Sequence, residues 1–275
     1  MSSPTVFVCG ATGTQGGALI DHLLKADVKI HAVTRTPDSA AAQHLKSLGV
    51  IITEGDFDND DSVRKPMANC TTLFLNLMPA LTDLNASFEQ ACRLLKIARE
   101  AGIKQVIYAS AVSANDPQRL KSWDPTSIIS TMLLNKSAIE NEIGKAGFES
   151  WTILRPGNFM NNFLSPQGHD FAAAAVFDPV KFNHQEIEIT SEFLGVDAII
   201  QSLSHATGRE MSVVYMSDEE IGEQKATNPF IAGQFMARDL GSFVDFDKVK
   251  AWNIPLGTFE QFLQREKSKV DATYL

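Results

Sequence analysis

Hydrophobic and polar positions follow two different periods in the first half of the chain. Short runs that are apolar throughout predict buried strands, and the segments between them repeat apolar residues at helical spacing. This alternation predicts a parallel sheet covered by helices on both faces. The predicted strands cover residues 5–9, 28–34, 50–54, 72–77 and 105–110, and the predicted helices cover 15–26, 40–48, 60–67 (capped by Asp60) and 85–101.

The second half of the chain is less regular. We predict a long helix over 126–147 and a strand over 151–155 that ends at Pro156-Gly157. Beyond these, the pattern predicts strands over 181–189 and 211–216 and helices over 159–171, 194–205, 218–224, 228–240 and 259–267. Right-handed connections then favour an α/β Rossmann fold with a doubly wound parallel sheet over residues 1–155. Residues 156–275 are predicted to form a smaller α/β substrate or partner lobe, partly interleaved with the main sheet.

A glycine-rich turn joins the first predicted strand to the first predicted helix. In such a turn the first glycine allows a sharp bend, the second allows close approach to a pyrophosphate, and the third allows tight packing of helix on strand. The helix N-terminus adds unpaired N–H groups and a positive dipole end. The segment predicts a dinucleotide site, and it reads Gly10, Ala11, Thr12, Gly13, Thr14, Gln15, Gly16, Gly17.

The end of the second strand bears on the choice of nucleotide. NAD-binding folds place an acidic residue there to hold the ribose 2′-hydroxyl, and this chain has Arg35 instead. A guanidinium binds a 2′-phosphate through two hydrogen bonds, whereas a carboxylate would repel it. The sequence therefore predicts NADP(H) rather than NAD(H). The alternative is that Arg35 is a solvated residue following a strand.

A proton donor is harder to identify than the cofactor. A short-chain dehydrogenase would carry Tyr-x-x-x-Lys on the helix after strand five, where the spacing puts both side chains on one face. Lys136 is present, but Met132 stands four residues before it. The chain's three tyrosines, Tyr108, Tyr215 and Tyr274, all lie elsewhere. The usual tyrosine acid is therefore missing.

Composition narrows the function classes. The chain has 275 residues and a formal net charge of −9, with no Lys/Arg cluster, which argues against a nucleic-acid partner. Its longest apolar run, 171–177, is too short to span a bilayer. The three cysteines lack metal-ligand spacing, so we predict no metal site. A strand that begins at Thr5 leaves no room for a targeting peptide, and we expect a cytoplasmic protein.

Several motifs together resemble the NmrA-like family of atypical short-chain dehydrogenases/reductases. They are G-A-T-G-x-x-G-G over 10–17, V-T-R-x-P over 33–37, G-D-x-D over 55–58, and K-x-x-I-E followed by W-T-I-L-R-P-x-x-F-M-x-N over 136–161. The likeness covers residues 4–165. One departure stands at Ser39, where NADP-sensing relatives tend to carry a second basic residue. A single cation would then hold the phosphate.

The resemblance implies roles for individual residues. Gly10 to Gly16 would hold the pyrophosphate and Arg35 the 2′-phosphate. The adenine would be lined by Asp56 and Phe57, and the region nearer the nicotinamide by Asn76, Leu77 and Met78. Lys136 would contact the nicotinamide ribose. The ring would be covered by Pro156, Gly157, Asn158 and Phe159.

Two function classes stay open. In the first, the protein is an NADPH-dependent reductase of a small aromatic, quinone or enone substrate, with Lys136 or an ordered water handling the proton. In the second, it binds NADP(H) without turnover and regulates a protein partner. A regulator of this kind could enter the nucleus as well as stay in the cytoplasm. His169 and His184 are further candidate acids. An apolar lining is predicted from Phe159, Met160, Phe163, Phe171 and Phe177, which suit a core equally well.

Overall fold

The computed structural model describes residues 3–80, 82–157, 170–224, 228, 231, 233, 234 and 237–274. Its strands are β1 (Thr5–Val8), β2 (Lys29–Thr34), β3 (Ile51–Glu54), β4 (Thr72–Leu75), β5 (Gln105–Ala109), β6 (Ser150–Pro156) and β7 (Gln185–Ile189). Helices α1 to α8 cover Thr14–Leu24, Ala40–Ser47, Asp60–Met67, Ala86–Glu100, Ile128–Lys145, Asp170–Phe177, Val196–Thr207 and Asp218–Gln224. Further helices are Phe246–Ala251, Phe259–Arg265 and Lys267–Tyr274, with 3₁₀ turns at Pro117–Arg119 and Leu240–Phe243.

All seven strands form one parallel sheet in the order β3-β2-β1-β4-β5-β6-β7. The prediction of an α/β Rossmann fold with a doubly wound sheet is confirmed. The chain winds outward in both directions from the β1–β4 pair, so this pair is the switch point of the topology. The loops after β1 and β4 diverge there to opposite faces, which opens a crevice at the carboxyl edge of the sheet.

Two hydrophobic cores receive side chains from β1, β2, β4, β5 and β6, because successive side chains of a strand point to opposite faces of the sheet. On one face, residues such as Val6, Val8 and Ile107 pack with the buried sides of α1 and α6. On the other face, residues such as Phe7 and Tyr108 pack with α3, α4 and α5. The sheet is therefore covered on both sides, as its continuous apolar strands require.

After β6 the chain forms α6 and then β7, the last strand of the sheet, before it continues into the C-terminal helices. Gln105 Nε2 donates to the carbonyl oxygen of Ala175 at 2.6 Å, which ties α6 to β5. β7 then pairs with β6, and Arg155 lies opposite Glu188. A third hydrophobic cluster joins α7 to the last helices through Leu203, Phe259, Phe262, Leu263 and Val270.

Some predictions of individual elements are wrong. Residues 211–216 form no strand, and Met211 N–H donates to Ser204 Oγ at 3.1 Å. Apolar β-branched residues suit any half-buried surface, and local sequence does not show whether a sheet edge is available. Helix α3 is capped by Asn59 rather than Asp60, because the Asn59 side chain accepts from Asp61 and Ser62 N–H. The predicted strand over 181–189 is ordered as β7 only from Gln185, since His184 has a φ of 55°.

The three cysteines form no disulfide, and Cys9 and Cys70 lie in the hydrophobic core. Cys9 and Cys70 are buried, and desolvation raises the pKa of each thiol to about 12. Cys92 is half-buried on α4, and its pKa is raised by desolvation and by the nearby charge of Glu142. All three thiols are therefore uncharged at neutral pH.

Candidate functional site

The glycine turn after β1 closes on itself at the switch point. Gly10 has a φ of +66°, a conformation that residues with a side chain rarely adopt. Its carbonyl oxygen accepts from Gly13 N–H at 3.0 Å. A Cβ on Gly16 would lie 2.3 Å from that same oxygen, so only glycine allows helix and turn to come this close. The Asn76 side chain lies against the turn, since a Cβ on Gly10 would meet Asn76 Nδ2 at 3.1 Å.

The N-terminus of α1 is available to an anion. Its N-cap is Gly13, which has no side chain to satisfy the first N–H groups, and the first turn carries no acidic residue. Ala11 is buried beneath the turn, while Thr12 and Thr14 are exposed. Gln15 Oε1 is buried and has no hydrogen-bond partner. The turn and the helix dipole fit a pyrophosphate, whereas the Gln15 oxygen, which accepts hydrogen bonds, fits a neighbouring hydroxyl or N–H group.

The end of β2 holds one exposed cation beside one carboxylate. The side chain of Arg35 is 81% exposed, and its Nε lies 4.0 Å from Asp56 Oδ2. The loop after β3 that carries Asp56 is held by Ser62, which donates to the Asp56 carbonyl oxygen at 2.8 Å. Ser39 caps α2 by accepting from Ala42 N–H at 3.3 Å. Ser39 therefore serves as a helix cap and supplies no second cation beside Arg35.

The loop after β3 is fixed onto α4. Arg93 Nη1 donates to the Phe57 carbonyl oxygen at 3.3 Å and lies 3.1 Å from Asp58 Oδ1. The Phe57 ring packs partly buried against the core. The structure thus brings Arg35, Asp56 and Phe57 to one end of the carboxyl edge, on the far side of the glycine turn.

The loop after β4 places its three predicted site residues in different surroundings. Asn76 is half-buried against the glycine turn, as described above. Leu77 is buried in the core, and Met78 is 88% exposed. Of the three, Asn76 is the side chain that touches the turn.

Lys136 of α5 reaches the end of β5. Its Nζ donates to the Ala109 carbonyl oxygen at 3.1 Å and lies 5.5 Å from the centre of the Tyr108 ring. Desolvation lowers the pKa of Lys136 to about 8, opposed by the charge of Glu140. Met132, one turn earlier, is half-buried. The site therefore presents an ammonium group that loses its proton near physiological pH.

Ser110, Glu140 and Arg155 form a buried polar network beside Lys136. Glu140 accepts from Ser110 Oγ, from Arg155 Nε at 3.0 Å and from Arg155 Nη2 at 2.7 Å. Arg155 is 3% exposed and also pairs with Glu186 and Glu188 of β7. Successive side chains of β7 point to opposite faces of the sheet. Glu186 and Glu188 therefore lie together on the face opposite the core residue Ile187, where both reach Arg155.

Sequence reasoning missed this network. The available signal was a single charged residue in the strand 150–156, together with Glu-x-Glu spacing on 186–188. Either feature alone is common on protein surfaces.

A cavity of about 890 Å³ opens from the carboxyl edge toward the C-terminal helices. Gln15, Ala109 and Gly157 line its inner end, and its outer walls include Tyr215 and Phe262. Its lining is mostly apolar. Such a volume and lining suit a small organic ligand.

The chain after β6 forms part of the inner wall. Pro156 and Gly157 line the cavity, and Gly157 N–H donates to the Ile189 carbonyl oxygen at 3.1 Å. Phe171 belongs both to the core and to the cavity wall, whereas Phe177 and His184 are exposed. The remaining predicted residues of this wall lie outside the described residues; they are Asn158, Phe159, Met160, Phe163 and His169.

Within the described residues, no group of three or more His, Cys, Asp or Glu side chains is placed to hold a metal ion. None of the helices in that part of the chain has the length and apolarity needed to cross a membrane.

Comparison with known proteins identifies the family. The model of the NmrA-like family matches residues 2–171. The chain belongs to the NmrA-like family. One NmrA-like relative is the family domain-containing oxidoreductase ptmS of Penicillium ochrochloron, 29% identical over 171 residues. That match covers 59% of this chain and 49% of ptmS, so the chain spans about half the length of this relative. An NmrA-like family domain-containing protein of Dictyostelium discoideum is 24% identical over 98% of this chain and 100% of its own.

Solved structures share the NmrA-like fold. The triphenylmethane reductase of Citrobacter sp., complexed with NADP(H), has a TM-score of 0.75 at 21% identity and covers 95% of this chain and 99% of its own. NmrA, a negative transcriptional regulator in complex with NAD, has a TM-score of 0.74 at 18% identity over 100% of this chain and 99% of its own. Both an enzyme and a regulator are therefore built on this fold.

Proposed function

We propose that this NmrA-like protein is an NADPH-dependent reductase of a small apolar organic acceptor, of the aromatic, quinone or enone type. The observation that carries this proposal is the desolvated Lys136 ammonium at the end of β5, whose contact residue Ala109 lines the cavity. When bound, the cofactor supplies a hydride. Reduction of the acceptor then takes one proton, and Lys136 is the group that would hold it.

The proposed cofactor position follows the carboxyl edge of the sheet. Gly10 to Gly16 and the α1 N-terminus would hold the pyrophosphate, and Arg35 the 2′-phosphate. Asp56 and Phe57 would flank the adenine, and Asn76 and Lys136 would lie near the nicotinamide half. The cavity beyond Pro156 and Gly157 would take the acceptor. In this proposal residues 156–275 act as the substrate lobe, joined to the main sheet through β7.

The proposal is tested by NADPH oxidation with purified protein and a panel of quinones and enones, beside the variant Lys136→Met. We expect the variant to lower kcat by about 100- to 10,000-fold, the usual contribution of a positioned proton donor. NADPH affinity, measured by fluorescence titration, should change by less than about 10-fold, since the phosphate contacts remain. Turnover by Lys136→Met at the native rate would contradict the assignment.

The pH dependence of kcat gives a second test of Lys136. A lysine acid is active while protonated, and its proton is lost as the pH rises through its pKa. With a pKa of about 8, kcat should be constant near pH 6.5 and fall above about pH 8. Lys136→Met should lack this falling limb. A native kcat that holds steady to pH 10 would exclude Lys136 as the acid.

Cofactor choice is tested at the Arg35–Asp56 pair. Arg35→Ala should weaken NADPH binding by about 10- to 100-fold, the value of one charge-assisted contact, and change NADH binding by less than about 2-fold. Asp56→Asn should strengthen NADPH binding several-fold, because it removes the carboxylate that lies 4.0 Å from the Arg35 guanidinium. Equal losses for both cofactors in Arg35→Ala would rule out a 2′-phosphate contact.

A second function is an NADP(H) sensor that regulates a protein partner. Two observations favour it: Met132 stands where the tyrosine acid is expected, and the similar fold of NmrA belongs to a transcriptional regulator. A sensor would bind NADPH without oxidising it across the whole acceptor panel. The NADPH oxidation assay therefore separates the two functions.

A further inference from the structure

Helix α5 is fastened to two consecutive residues at the end of β5. Lys136 Nζ donates to the Ala109 carbonyl oxygen at 3.1 Å, and Ser110 Oγ donates to Glu140. Lys136 and Glu140 are four residues apart, so their side chains leave the same face of the helix. The position of Glu140 therefore sets where the Ser110 hydroxyl lies relative to the Lys136 ammonium.

Glu140 is itself held rigidly. It is 7% exposed, and Arg155 grips both its oxygens through the Nε and Nη2 groups. Such a two-point contact fixes the plane of the carboxylate as well as its distance. Arg155 is anchored in turn by Glu186 and Glu188 on β7. A chain of contacts thus runs from the edge strand, which leads into the cavity wall at Thr190, to the residues around Lys136.

We propose that Glu140 is a positioning residue of the reductase, held by Arg155 so that the Lys136 ammonium and the Ser110 hydroxyl are presented together at the end of β5. This inference rests on the proposed function, because it assigns Glu140 a task in a reaction that Lys136 carries. Glu140 touches neither cofactor nor acceptor in this role; it acts through Lys136 and Ser110.

The charges around Lys136 support the same assignment. Burial lowers the pKa of Lys136, and the negative charge of Glu140 raises it. The other groups that face this region are the Tyr108 hydroxyl, whose pKa is raised by desolvation and by Glu140, and the Arg155 guanidinium behind Glu140. Removing the Glu140 charge leaves Lys136 in the same apolar surroundings without its compensating anion.

Glu140→Gln tests this proposal, because the amide keeps the shape of the side chain and removes its charge. Glu186→Gln is the matched control: it removes another carboxylate partner of Arg155, on β7, that touches neither Ser110 nor α5. Lysine side-chain NMR of the full chain without cofactor would follow the Lys136 resonance against pH, with Lys136→Arg to assign it. We expect the Lys136 pKa to fall by about one unit in Glu140→Gln and to stay at the native value in Glu186→Gln.

Kinetic measurements complete the test. Glu140→Gln should lower kcat about 10- to 100-fold with little change in KM for the acceptor, and shift the falling limb of kcat to lower pH. Glu140→Asp, which restores the charge on a shorter side chain, should recover the native limb. A Lys136 pKa that is unchanged in Glu140→Gln, or that shifts equally in Glu186→Gln, would overturn the proposal.

Failure of the reductase proposal would look different. If the native protein oxidises NADPH with none of the acceptors, the reductase proposal is wrong and so is the positioning role of Glu140 that depends on it. The NMR titration would still show whether the Glu140 charge raises the Lys136 pKa. If the native protein is active and Glu140→Gln keeps both the native Lys136 pKa and the native kcat, only the positioning role of Glu140 is contradicted.

Discussion

Replacing Gly16 by alanine is expected to lower dinucleotide affinity by about 100-fold, the equivalent of losing two or three backbone hydrogen bonds. A Cβ at this position would lie 2.3 Å from the Gly10 carbonyl oxygen and 2.8 Å from the Ala11 Cα. Both atoms belong to the backbone, so the turn itself must move away from α1. The N–H groups that would hold the pyrophosphate move with it. Isothermal titration with NADPH measures the loss.

Gly17→Ala is the matched control for this change. A Cβ on Gly17 would meet the Ala11 oxygen at 3.6 Å, an ordinary van der Waals contact. Because Gly17 lies within α1, alanine there should stabilise the helix by up to about 1 kcal/mol and leave NADPH binding intact. Overpacking in Gly16→Ala should instead destabilise the fold by about 1–3 kcal/mol. Native NADPH affinity in Gly16→Ala, or an equal loss in Gly17→Ala, would contradict the close-approach argument.

Replacing Arg155 by methionine is expected to lower the free energy of unfolding by about 3–5 kcal/mol, because the buried Glu140 carboxylate is left without its cation. Arg155 is 3% exposed, so water does not replace the lost contacts at Glu140. The edge strand should suffer as well, since Glu186 and Glu188 lose their shared cation. Urea denaturation monitored by far-UV circular dichroism measures the change.

Lys104→Met provides the comparison for Arg155→Met. The Lys104–Glu149 ion pair has side chains 64% and 66% exposed, and pairs of this kind contribute about 0–1 kcal/mol. The double variant Arg155→Met, Glu140→Met replaces the central ion pair with apolar side chains and should recover part of the lost stability, although Glu186 and Glu188 still lack their cation. A loss below about 1 kcal/mol in Arg155→Met would mean that the network does not stabilise the fold.

The sheet could be predicted from sequence because its strands are short, apolar and regularly spaced between amphipathic helices. The glycine turn was equally accessible, since the contacts of Gly10, Gly13 and Gly16 are made within one strand–turn–helix unit. The contacts among these glycines therefore follow from local sequence, whereas the contact of the turn with Asn76 does not. The ends of β2 and β5 could be placed near it because parallel strands share one carboxyl edge.

What could not be predicted depends on contacts between distant parts of the chain. Nothing near residue 155 shows that its partners are Glu140 on a helix and Glu188 on a strand formed 33 residues later. Residues 211–216 have strand-like composition, yet four of them line a cavity instead of pairing with a sheet. The exposure of Met78 beside the buried Leu77 is likewise set by the packing of the whole edge.

The state of the cysteines limits how this protein could respond to oxidants. Peroxides react with thiolates, and thiols with a pKa of about 12, as at Cys9 and Cys70, supply almost none at neutral pH. The Cys92 thiol is shifted in the same direction. Peroxides at neutral pH would therefore modify these three thiols only slowly.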